Sequence, residues 1–517
     1  MNQLKKELTL FDLIILGVAG AVGTGVLFST AGMTALAGPG IIVAWIIGAI
    51  MYLFVGLTYV DLSRVYPEAG GPSRYSLYSY GRATNMINAF ADLIWYLFIP
   101  PVEALATVEG LDYFYPHFLT TTGNPTAEGA IMGVVLMLLF LPFNYYGIKI
   151  FSQSTNFLGS IKLALYVVAA IGFMSFAHFG NFGRFGGFSP FGVGGIFAAI
   201  PLGMFAFGSI RVIPDYSEEV RHKKTIGQSI LWVVFGQTVL YLLLAIAFLA
   251  ALNWKQLNIH PGTWSSVVDI AGNPFLTIAS KANLGWLIVI TAIIAIIGPF
   301  VTGYIYQGGG SRILLAMGRT GIVSQRLKEL NQQFAVPVWS LIVFTAVGAT
   351  VAYLAAPLPS IYSLISDAVV AGYLGFAVNP VVMLAIRRQG VVGPIKSAKL
   401  VAYIAFASAS LIVYWSGWPS VPYATALLAI FAIVFGLLYK VKEGFSNSMW
   451  YIVYILFLTL MTYIGGVGKL ADFNVDIGSA IVVIVSLLIF LPWGVASRLT
   501  PAQRKSTGTP ESNADLV

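Results

Sequence analysis

The most constraining feature of this chain is a long hydrophobic segment that glycine interrupts in its middle. Residues 15–32 read ILGVAGAVGTGVLFSTAG, with Gly17, Gly20, Gly23 and Gly25 where a membrane-spanning helix ordinarily carries Leu, Ile or Val. Glycine weakens a helix interior and lets other groups approach the backbone closely. Inside a bilayer, the N–H and C=O groups that a break frees must be satisfied by protein, water or a ligand. The break therefore either lines a cavity or packs a neighbouring helix at close range.

A second interrupted segment lies far downstream, at residues 205–215, FAFGSIRVIPD. Gly208 and Ser209 interrupt the apolar run there, and Pro214 follows. A single run of small residues is more often a helix-packing face. Two interrupted spans at corresponding positions of two halves instead predict a transporter binding site.

The composition assigns the chain to the polytopic membrane proteins. Its 517 residues are 58% hydrophobic and only 9% charged, whereas a soluble domain carries roughly a quarter charged residues. Its net charge of +8 is no sign of nucleic-acid binding, because loop lysines and arginines in such proteins set orientation. The chain has no cysteine, which excludes disulfides and thiolate nucleophiles.

Fourteen apolar segments are long enough to cross a bilayer, and we number them as spans 1 to 14. With the N-terminus inside, the loop lysines and arginines fall about 22 to 4 on the cytoplasmic side. This predicts a plasma (inner) membrane protein with both termini cytoplasmic, and we call the cytoplasmic side the inner side. The segments lie near 10–35, 39–63, 86–113, 128–148, 152–177, 193–219, 225–252, 283–317, 337–356, 360–386, 399–416, 422–439, 449–467 and 478–497.

Three regions outside the spans also carry expectations. The leader MNQLKKELTLFDL is too short and too acidic for a removed signal peptide, which indicates a short cytoplasmic leader. The tail after Arg498 is rich in Ser, Thr, Pro and Asn, and we expect it to be disordered. The outer loop at 253–282 is either a folded cap or a plain interfacial loop. All four histidines, at positions 117, 178, 222 and 260, fall in predicted loops.

Several motifs together resemble the amino acid–polyamine–organocation (APC) superfamily of secondary transporters, in its amino acid permease branch. The stretch GAVGTGVLFSTAG at 20–32 is similar to the first-span signature of that family. Residues 59–82, YVDLSRVYPEAGGPSRYSLYSYGR, resemble its second span and the following loop. FAFGSIRVIPDYSEE at 205–219 and SRILLAMGRTGIVSQRL at 311–327 resemble the broken sixth span and the exit of span 8. The motifs follow the family's order over about the first 340 residues.

The resemblance implies an all-α fold with a LeuT-type core. Spans 1–5 (residues 1–180) and spans 6–10 (181–390) would form two inverted repeats, with spans 1 and 6 unwound. Residues 391–498 would add the peripheral spans 11–14, and residues 499–517 the disordered cytoplasmic tail.

An α-amino acid needs donors for its carboxylate and acceptors for its ammonium close together. Unwinding span 1 would expose the N–H groups of Gly23, Thr24 and Gly25 at a helix N-terminus, which suits an anion. The Thr24 hydroxyl would add a donor. The expected acceptors for the ammonium are the carbonyls of Ala19, Gly20, Ala21, Phe205 and Gly208.

Two phenylalanines, Phe205 and Phe207, resemble the family's aromatic position that closes over the substrate. The alternative is that they face lipid. Because backbone groups supply the recognition, the substrate's side chain stays open at this point.

Lys162 lies at membrane depth in span 5, within FLGSIKLALYVV. A bare ammonium inside a span is costly unless it is paired or deprotonated, so such a residue is usually functional. The position matches the fifth-span lysine of proton-coupled family members, whose ammonium replaces a sodium ion between spans 1 and 8. Lys162 is therefore a candidate proton carrier, and the alternative is a permanently charged structural strut.

Arg211, just past the second break, departs from the family pattern. Arginine stays protonated, so it cannot carry a coupling proton. It either pairs with an acidic residue at similar depth, or it acts on the substrate by repelling cations or attracting an acidic side chain. Both interpretations argue against arginine, lysine and polyamines as substrates. The candidate partners are Glu103, Asp215 and Asp367.

Glu218 and Glu219 lie at the inner end of span 6, where we expect salt bridges to Arg or Lys that keep an inner gate closed. Asp61 and Glu68 carry the same expectation. We expect no metal site and no cofactor, and the spans hold no nucleophile or paired-acid constellation of the kind an enzyme needs. A pore would need a continuous lined path instead of two breaks.

The leading hypothesis is a secondary active transporter of amino acids, coupled to protons as a symporter and working by alternating access. Its expected partners are an amino acid, protons and the lipid bilayer, with no nucleic acid. Two alternatives stay open, an amino acid exchanger and a carrier of a non-amino-acid amine or organic acid.

Overall fold

The computed structural model of the protein describes residues 3–270, 273–356, 367 and 369–507. The side chains of Thr24, Phe205 and residues 505–507 lie outside this description. Within it the chain is helical, and β pairing is limited to isolated bridges such as that between Leu8 and Val220. The all-α prediction is confirmed.

Helices occupy all fourteen predicted positions. For span 10, predicted at 360–386, the structure describes a helix from residue 371 onward, and residues 357–366 and 368 lie outside the description. The helices are Leu10–Ala21 and Thr24–Ala37 (span 1), Ile41–Val65 (span 2), Arg82–Asp112 (span 3), Ala127–Tyr145 (span 4), Ile148–Met174 (span 5), Gly192–Ala206 with shorter turns to Asp215 (span 6), Lys223–Ala251 (span 7), Gly285–Thr320 (span 8), Val338–Ala355 (span 9), Ala371–Arg388 (span 10), Ala398–Ser416 (span 11), Ser420–Leu438 (span 12), Phe445–Ile464 (span 13) and Val475–Ala496 (span 14).

Many of these helices are long and apolar enough to cross a membrane. Among the described residues there are eleven, or twelve when the bent pair in span 6 counts as one span. The protein is therefore a multi-pass membrane protein. This count treats Gly25–Val65 as one segment and leaves out the short helix Leu10–Ala21. The total of fourteen spans, the inverted repeats and the orientation stay predictions.

Spans 3 and 8 form the centre of the helix bundle. They are the longest helices, with 31 and 36 residues, and they share the largest helix–helix interface. Their close approach depends on glycine, because a Cβ built on Gly309 would lie 2.6 Å from the Tyr96 ring. In the most apolar 18 residues of span 3, 89% of the residues are buried, whereas the corresponding share in span 12 is 17%. Span 12 therefore lies at the periphery.

The described parts of the outer loop, residues 253–270 and 273–282, are folded. It contains the turn Trp264–Asp269 and the helix Pro274–Ala282. The rings of Trp254 and Trp264 meet edge to face at 4.8 Å, and the Trp264 indole N–H donates to the Phe185 carbonyl at 2.9 Å. These contacts favour a folded cap over a plain interfacial loop.

The prediction of disorder for the tail was wrong for its first part. Residues Pro501–Thr507 form a helix, and the Leu499 N–H donates to the Ser79 carbonyl at 2.7 Å. Arg504 is only 6% exposed. The composition suggested disorder because it does not report these contacts with the segment before span 3. Residues 508–517 lie outside the described residues.

The leader packs on the inner end of span 6. The N–H groups of Glu7 and Leu8 both donate to the Glu219 carbonyl, at 2.9 and 3.0 Å, and the Arg221 N–H donates to the Leu8 carbonyl at 3.0 Å. Thr9 then caps the first helix of span 1 in a capping box with Asp12. The start of span 1 is thus joined directly to the end of span 6.

The salt bridges expected for Asp61 and Glu68 are confirmed. Asp61, fully buried, accepts from Arg387 Nη1 and Nη2 at 2.6 and 2.7 Å and from the Ile395 N–H at 3.0 Å. Glu68 pairs with Arg74 at 2.5 Å. The Asp61 pair connects span 2 to the inner end of span 10.

Replacing Asp61 with alanine will destabilise the protein. The change leaves the Arg387 guanidinium without its buried carboxylate, a loss of about 3 kcal/mol. The measurement is the melting temperature of the purified protein in detergent. Glu7→Ala is the matched control, because the Glu7–Arg221 pair is exposed and its loss costs at most about 1 kcal/mol. Equal melting temperatures for the two variants would contradict the expectation.

Candidate functional site

The first break is confined to two residues. Helix Leu10–Ala21 ends at Val22 (φ −85°, ψ 66°), Gly23 has φ −104° and ψ −145°, and the next helix begins at Thr24. Gly23 is required by close approach. A Cβ built on it would lie 2.5 Å from Glu103 Oε1 and 2.8 Å from Thr302 Oγ1. The carboxylate of span 3 thus contacts the backbone of the break.

Two of the backbone groups predicted to bind substrate are paired with each other in this conformation. The Gly23 N–H donates to the Ala21 carbonyl at 3.0 Å. Their assignment as substrate donor and acceptor stays a prediction, and it requires this short turn to open at the Gly23 N–H. The helix that restarts at Thr24 still begins with N–H groups that have no acceptor within their own helix. Thr24 and Gly25 thus remain candidates at that N-terminus, and the Thr24 side chain lies outside the described residues.

Lys162 joins spans 5, 1 and 8 at the first break. Its Nζ donates to the carbonyls of Ala19 and Gly298, at 2.7 and 2.6 Å, and to Thr302 Oγ1 at 2.9 Å. An ammonium has three donors, and all three are used. The side chain occupies the position between spans 1 and 8 that the resemblance implies. The Ala19 carbonyl, predicted to bind a substrate ammonium, accepts from Lys162 and also from the Thr302 hydroxyl at 3.3 Å in this conformation, and its role toward substrate stays a prediction.

The second break contacts the first. The α-helix of span 6 ends at Ala206, and Phe207–Arg211 continues as a tighter 3₁₀ turn, with a bend of 46° between the two parts of the span. Ser209 Oγ donates to the Gly17 carbonyl at 2.7 Å and accepts from Gln237 Nε2 at 2.5 Å. A Cβ built on Gly20 would lie 3.7 Å from the Ser209 side chain. Both interrupted spans therefore meet at one depth.

Phe207, at the second break, faces spans 2 and 7. It is fully buried against Trp45, Tyr52 and Tyr241 of these spans, at ring distances of 5.7, 5.5 and 5.0 Å. The lipid-facing alternative was therefore wrong, and closure of the ring over substrate stays a prediction. The sequence does not indicate where a short 3₁₀ turn begins, so it could not predict that the Phe207 ring faces spans 2 and 7. The Phe205 side chain lies outside the described residues.

The aromatic side chain at the second break is Trp95 of span 3. A Cβ built on Gly208 would overlap the Trp95 ring. Gly208 is thus required for the indole to lie on the backbone of span 6. No pattern in the sequence indicated this role, since an aromatic residue in an apolar span usually belongs to the core.

Arg211 pairs with Asp92, which the sequence analysis did not name. Nη1 lies 3.3 Å from Asp92 Oδ1, and both side chains are at most 4% exposed. The intramembrane rule that drew attention to Glu103 applies equally to Asp92 and would have found it. The partners predicted for Arg211 were wrong and lie elsewhere: Asp215 accepts from the Tyr96 hydroxyl, Asp367 accepts from Ser420 Oγ at 2.8 Å, and Glu103 contacts Gly23.

The salt bridges predicted for the inner end of span 6 are present. Glu219 accepts from Arg312 Nε and Nη2 at 2.5 and 2.8 Å, and both side chains are 2% exposed. Glu218 accepts from Arg319 at 2.5 and 3.1 Å. Both arginines belong to span 8, so spans 6 and 8 are joined at their inner ends. That these pairs form a gate stays a prediction.

A cavity of about 620 Å³ lies beside the helix of span 1 that restarts after the first break. It is lined by Gly25 of that helix, by Tyr373 of span 10, and by the carboxyl side chains Glu109 and Asp367. The cavity thus comes within two residues of the break, whereas the ion pairs lie at the inner ends of spans 6 and 8.

The four histidines lie outside the helices, as predicted. Within the described ranges, no group of three or more His, Asp or Glu side chains could hold a metal ion.

Two interrupted helices that meet around a buried cation are a construction used by membrane transporters. A model of the family described as amino acid permease matches residues 8–421. The chain therefore belongs to the amino acid permease family.

Two relatives match almost the whole chain, and a third matches about three quarters of it. The chain is 27% identical to the glutamate/serine transporter AimA of Bacillus subtilis, over 96% of this chain and 95% of that protein. It is 28% identical to the aspartate-proton symporter of Bacillus subtilis, over 99% of both. It is 23% identical to the branched-chain amino acid permease BcaP of the same organism, over 74% of this chain and 82% of the relative.

Adding one methyl group at the first break will destabilise the protein. In Gly23→Ala the new Cβ collides with the Glu103 carboxylate and Thr302 Oγ1, at a cost of roughly 2 kcal/mol. The measurement is the melting temperature in detergent. Gly194→Ala in span 6 is the control, because a Cβ there meets no atom of the described residues within 4 Å. A Gly23→Ala protein as stable as this control would show that the close approach is not required.

Proposed function

We propose that this protein is a secondary active transporter that carries amino acids together with protons by alternating access. The observation that carries the proposal is the Lys162 ammonium, which donates to Ala19, Gly298 and Thr302 across the first break. Family membership and the amino acid substrates named for the relatives support the substrate class. The proton named for one relative supports the coupling ion.

The coupling proposal follows from the number of hydrogen bonds that Lys162 can donate with and without its proton. A charged ammonium offers three donors, whereas a neutral amine offers two. When Lys162 loses its proton, one of its three contacts with spans 1 and 8 loses its donor. Span 1 is then held less tightly to span 8, which frees it to move.

Glu103 is suited to take part in the same step. Its carboxylate would contact a Cβ at Gly23 and lies beside Thr302, whose hydroxyl accepts from Lys162. A carboxylate, a hydroxyl and an ammonium therefore follow one another from span 3 to span 5. We propose that the substrate's carboxylate binds at the adjacent N-terminus of the helix that restarts at Thr24. Gly25 of this helix lines the cavity of about 620 Å³.

We propose that the ion pairs of span 6 with span 8 form the inner gate. Glu219 and Arg312 are buried, so they separate only if water or a neighbouring charge replaces the partner. Opening the inner side requires such a separation, because the pairs join the inner ends of the two spans. The leader, bound to the Glu219 carbonyl, would move with this end of span 6.

Lys162→Ala will abolish proton-driven accumulation and retain exchange. Proteoliposomes receive a mixed set of labelled amino acids with and without an inward proton gradient, and counterflow is measured in parallel. Without the ammonium, a proton gradient has no carrier at the break, whereas substrate can still exchange with substrate.

The control is Lys149→Ala, which removes an exposed lysine from the start of the same span and is expected to accumulate as the wild type does. Equal wild-type uptake with or without the gradient, stimulated only by internal substrate, would identify an exchanger and leave Lys162 as a strut. Absence of uptake for every amino acid would point to another amine or an organic acid.

Glu219→Gln will open the inner side. Since the chain has no cysteine, a Thr155→Cys background supplies one reporter, at a residue of span 5 that is 1% exposed. Loss of the Glu219 charge weakens its pair with Arg312, so maleimide labels the reporter faster, by roughly tenfold for a shift of 1.4 kcal/mol. Glu7→Gln in the same background is the control. Unchanged labelling in the Glu219→Gln protein would exclude this pair as the gate.

A further inference from the structure

Arg211 is a buried cation with unused hydrogen-bonding capacity. Its Nη2 donates to the Gly372 carbonyl at 2.8 Å. Within the part of the chain that the structure describes, Nε and Nη1 donate to no acceptor, and Asp92 Oδ2 likewise has no donor. The Nη1–Asp92 distance of 3.3 Å is an ion pair without an aligned hydrogen bond. The pair is therefore incompletely satisfied, although a buried pair is stable only when such bonds are made.

The surroundings hold the guanidinium in a fixed plane. It lies 4.5 Å from the centre of the Trp95 ring and 4.1 Å from that of Phe376, which is close enough for cation–π attraction. The Phe376 ring is in turn held by Tyr52 and Tyr59, at ring distances of 5.5 and 6.3 Å. A planar fork held by two rings is preorganised for a carboxylate, which it can bind through two parallel hydrogen bonds.

Span 10 provides space beside the pair through two glycines one turn apart. A Cβ on Gly372 would lie 2.7 Å from Arg211 Nη1, and a Cβ on Gly375 would lie 2.9 Å from Asp92 Oδ1. Any larger residue at either position would displace the pair. The pair is thus accommodated by the backbone of span 10.

Trp95 lies against both the backbone and the cation of the second break. Its indole contacts Gly208 and also the Arg211 guanidinium, and Arg211 is the last residue of the 3₁₀ turn Phe207–Arg211. Through Ser209 and Gly17 this turn contacts span 1, where we propose that the substrate's carboxylate binds. If the indole turns aside, the side chain of a bound amino acid can reach the guanidinium.

We infer that Arg211 binds the side-chain carboxylate of an acidic amino acid, and that Asp92 takes its place when no substrate is bound. The inference rests on the proposed function, whose substrate class it narrows. A substrate carboxylate would satisfy Nε and Nη1 together, whereas Asp92 makes a hydrogen bond to neither of them. Asp92 then acts as an internal competitor of the substrate.

The test compares acids with their amides, which differ only in the side-chain carboxylate. The apparent affinities of L-aspartate, L-asparagine, L-glutamate and L-glutamine are measured by competition against a labelled amino acid that the wild type takes up in proteoliposomes. We expect the wild type to prefer each acid over its amide by roughly tenfold or more, because an amide leaves the buried fork unpaired. Arg211→Gln should reduce this preference by a similar factor.

Asp92→Asn keeps the size of the side chain and removes the competing charge, so it should increase the preference for the acids. This variant gives the decisive result if Arg211→Gln does not fold. Arg388→Gln, at an exposed arginine of the same span 10, is the control and should leave the preference unchanged.

The remaining outcomes separate the two proposals. Uptake of neutral amino acids without preference for the acids overturns the inference and leaves the proposed function in place. The inference is likewise overturned if Asp92→Asn lowers all four affinities equally, because the pair is then structural. No uptake of any amino acid overturns the proposed function itself.

Discussion

One ammonium holds the interrupted part of this protein together. Lys162 Nζ connects the Ala19 carbonyl of span 1 with the Gly298 carbonyl and the Thr302 hydroxyl of span 8. A charge at membrane depth is tolerated only when such partners surround it, and an unwound backbone is tolerated only when its polar groups are satisfied. The buried ammonium and the unwound backbone of span 1 therefore require each other. The proposed proton coupling follows because deprotonation removes one of the three donors of Lys162.

Glycine residues at the two breaks allow side chains from other spans to approach the backbone closely. Gly23 admits the carboxylate of Glu103 and the hydroxyl of Thr302, and Gly208 admits the ring of Trp95. Span 3 thus contributes to both breaks without being broken itself. Its acidic residues have different neighbours: Glu103 lies at the first break, whereas Asp92 pairs with Arg211 beneath the Trp95 ring. We propose that the surroundings of Glu103 serve the proton, and that the surroundings of Asp92 and Arg211 serve the substrate's side chain.

The sequence was sufficient for features that follow from local pattern, such as the helical class, the two breaks and the salt bridges of Glu218 and Glu219. It placed Lys162 between spans 1 and 8 through a family resemblance. It could not show which neighbours a turn faces, as with Phe207, or that a short turn is closed by its own hydrogen bond, as with Gly23 and Ala21. Asp92 was a different failure, because the rule for buried charges applied to it and was not used. The tail helix was missed because composition does not report tertiary contacts.

The measurement that tests the proton coupling most directly is the internal pH of proteoliposomes as substrate enters. The liposomes contain a pH-sensitive dye, start without a pH difference, and have their membrane potential clamped by potassium and an ionophore. L-aspartate and L-serine are added outside in turn. We predict that at least one of them acidifies the interior, with a rate that saturates with substrate concentration and is absent in protein-free liposomes. Entry of labelled substrate without any change of internal pH would contradict the account.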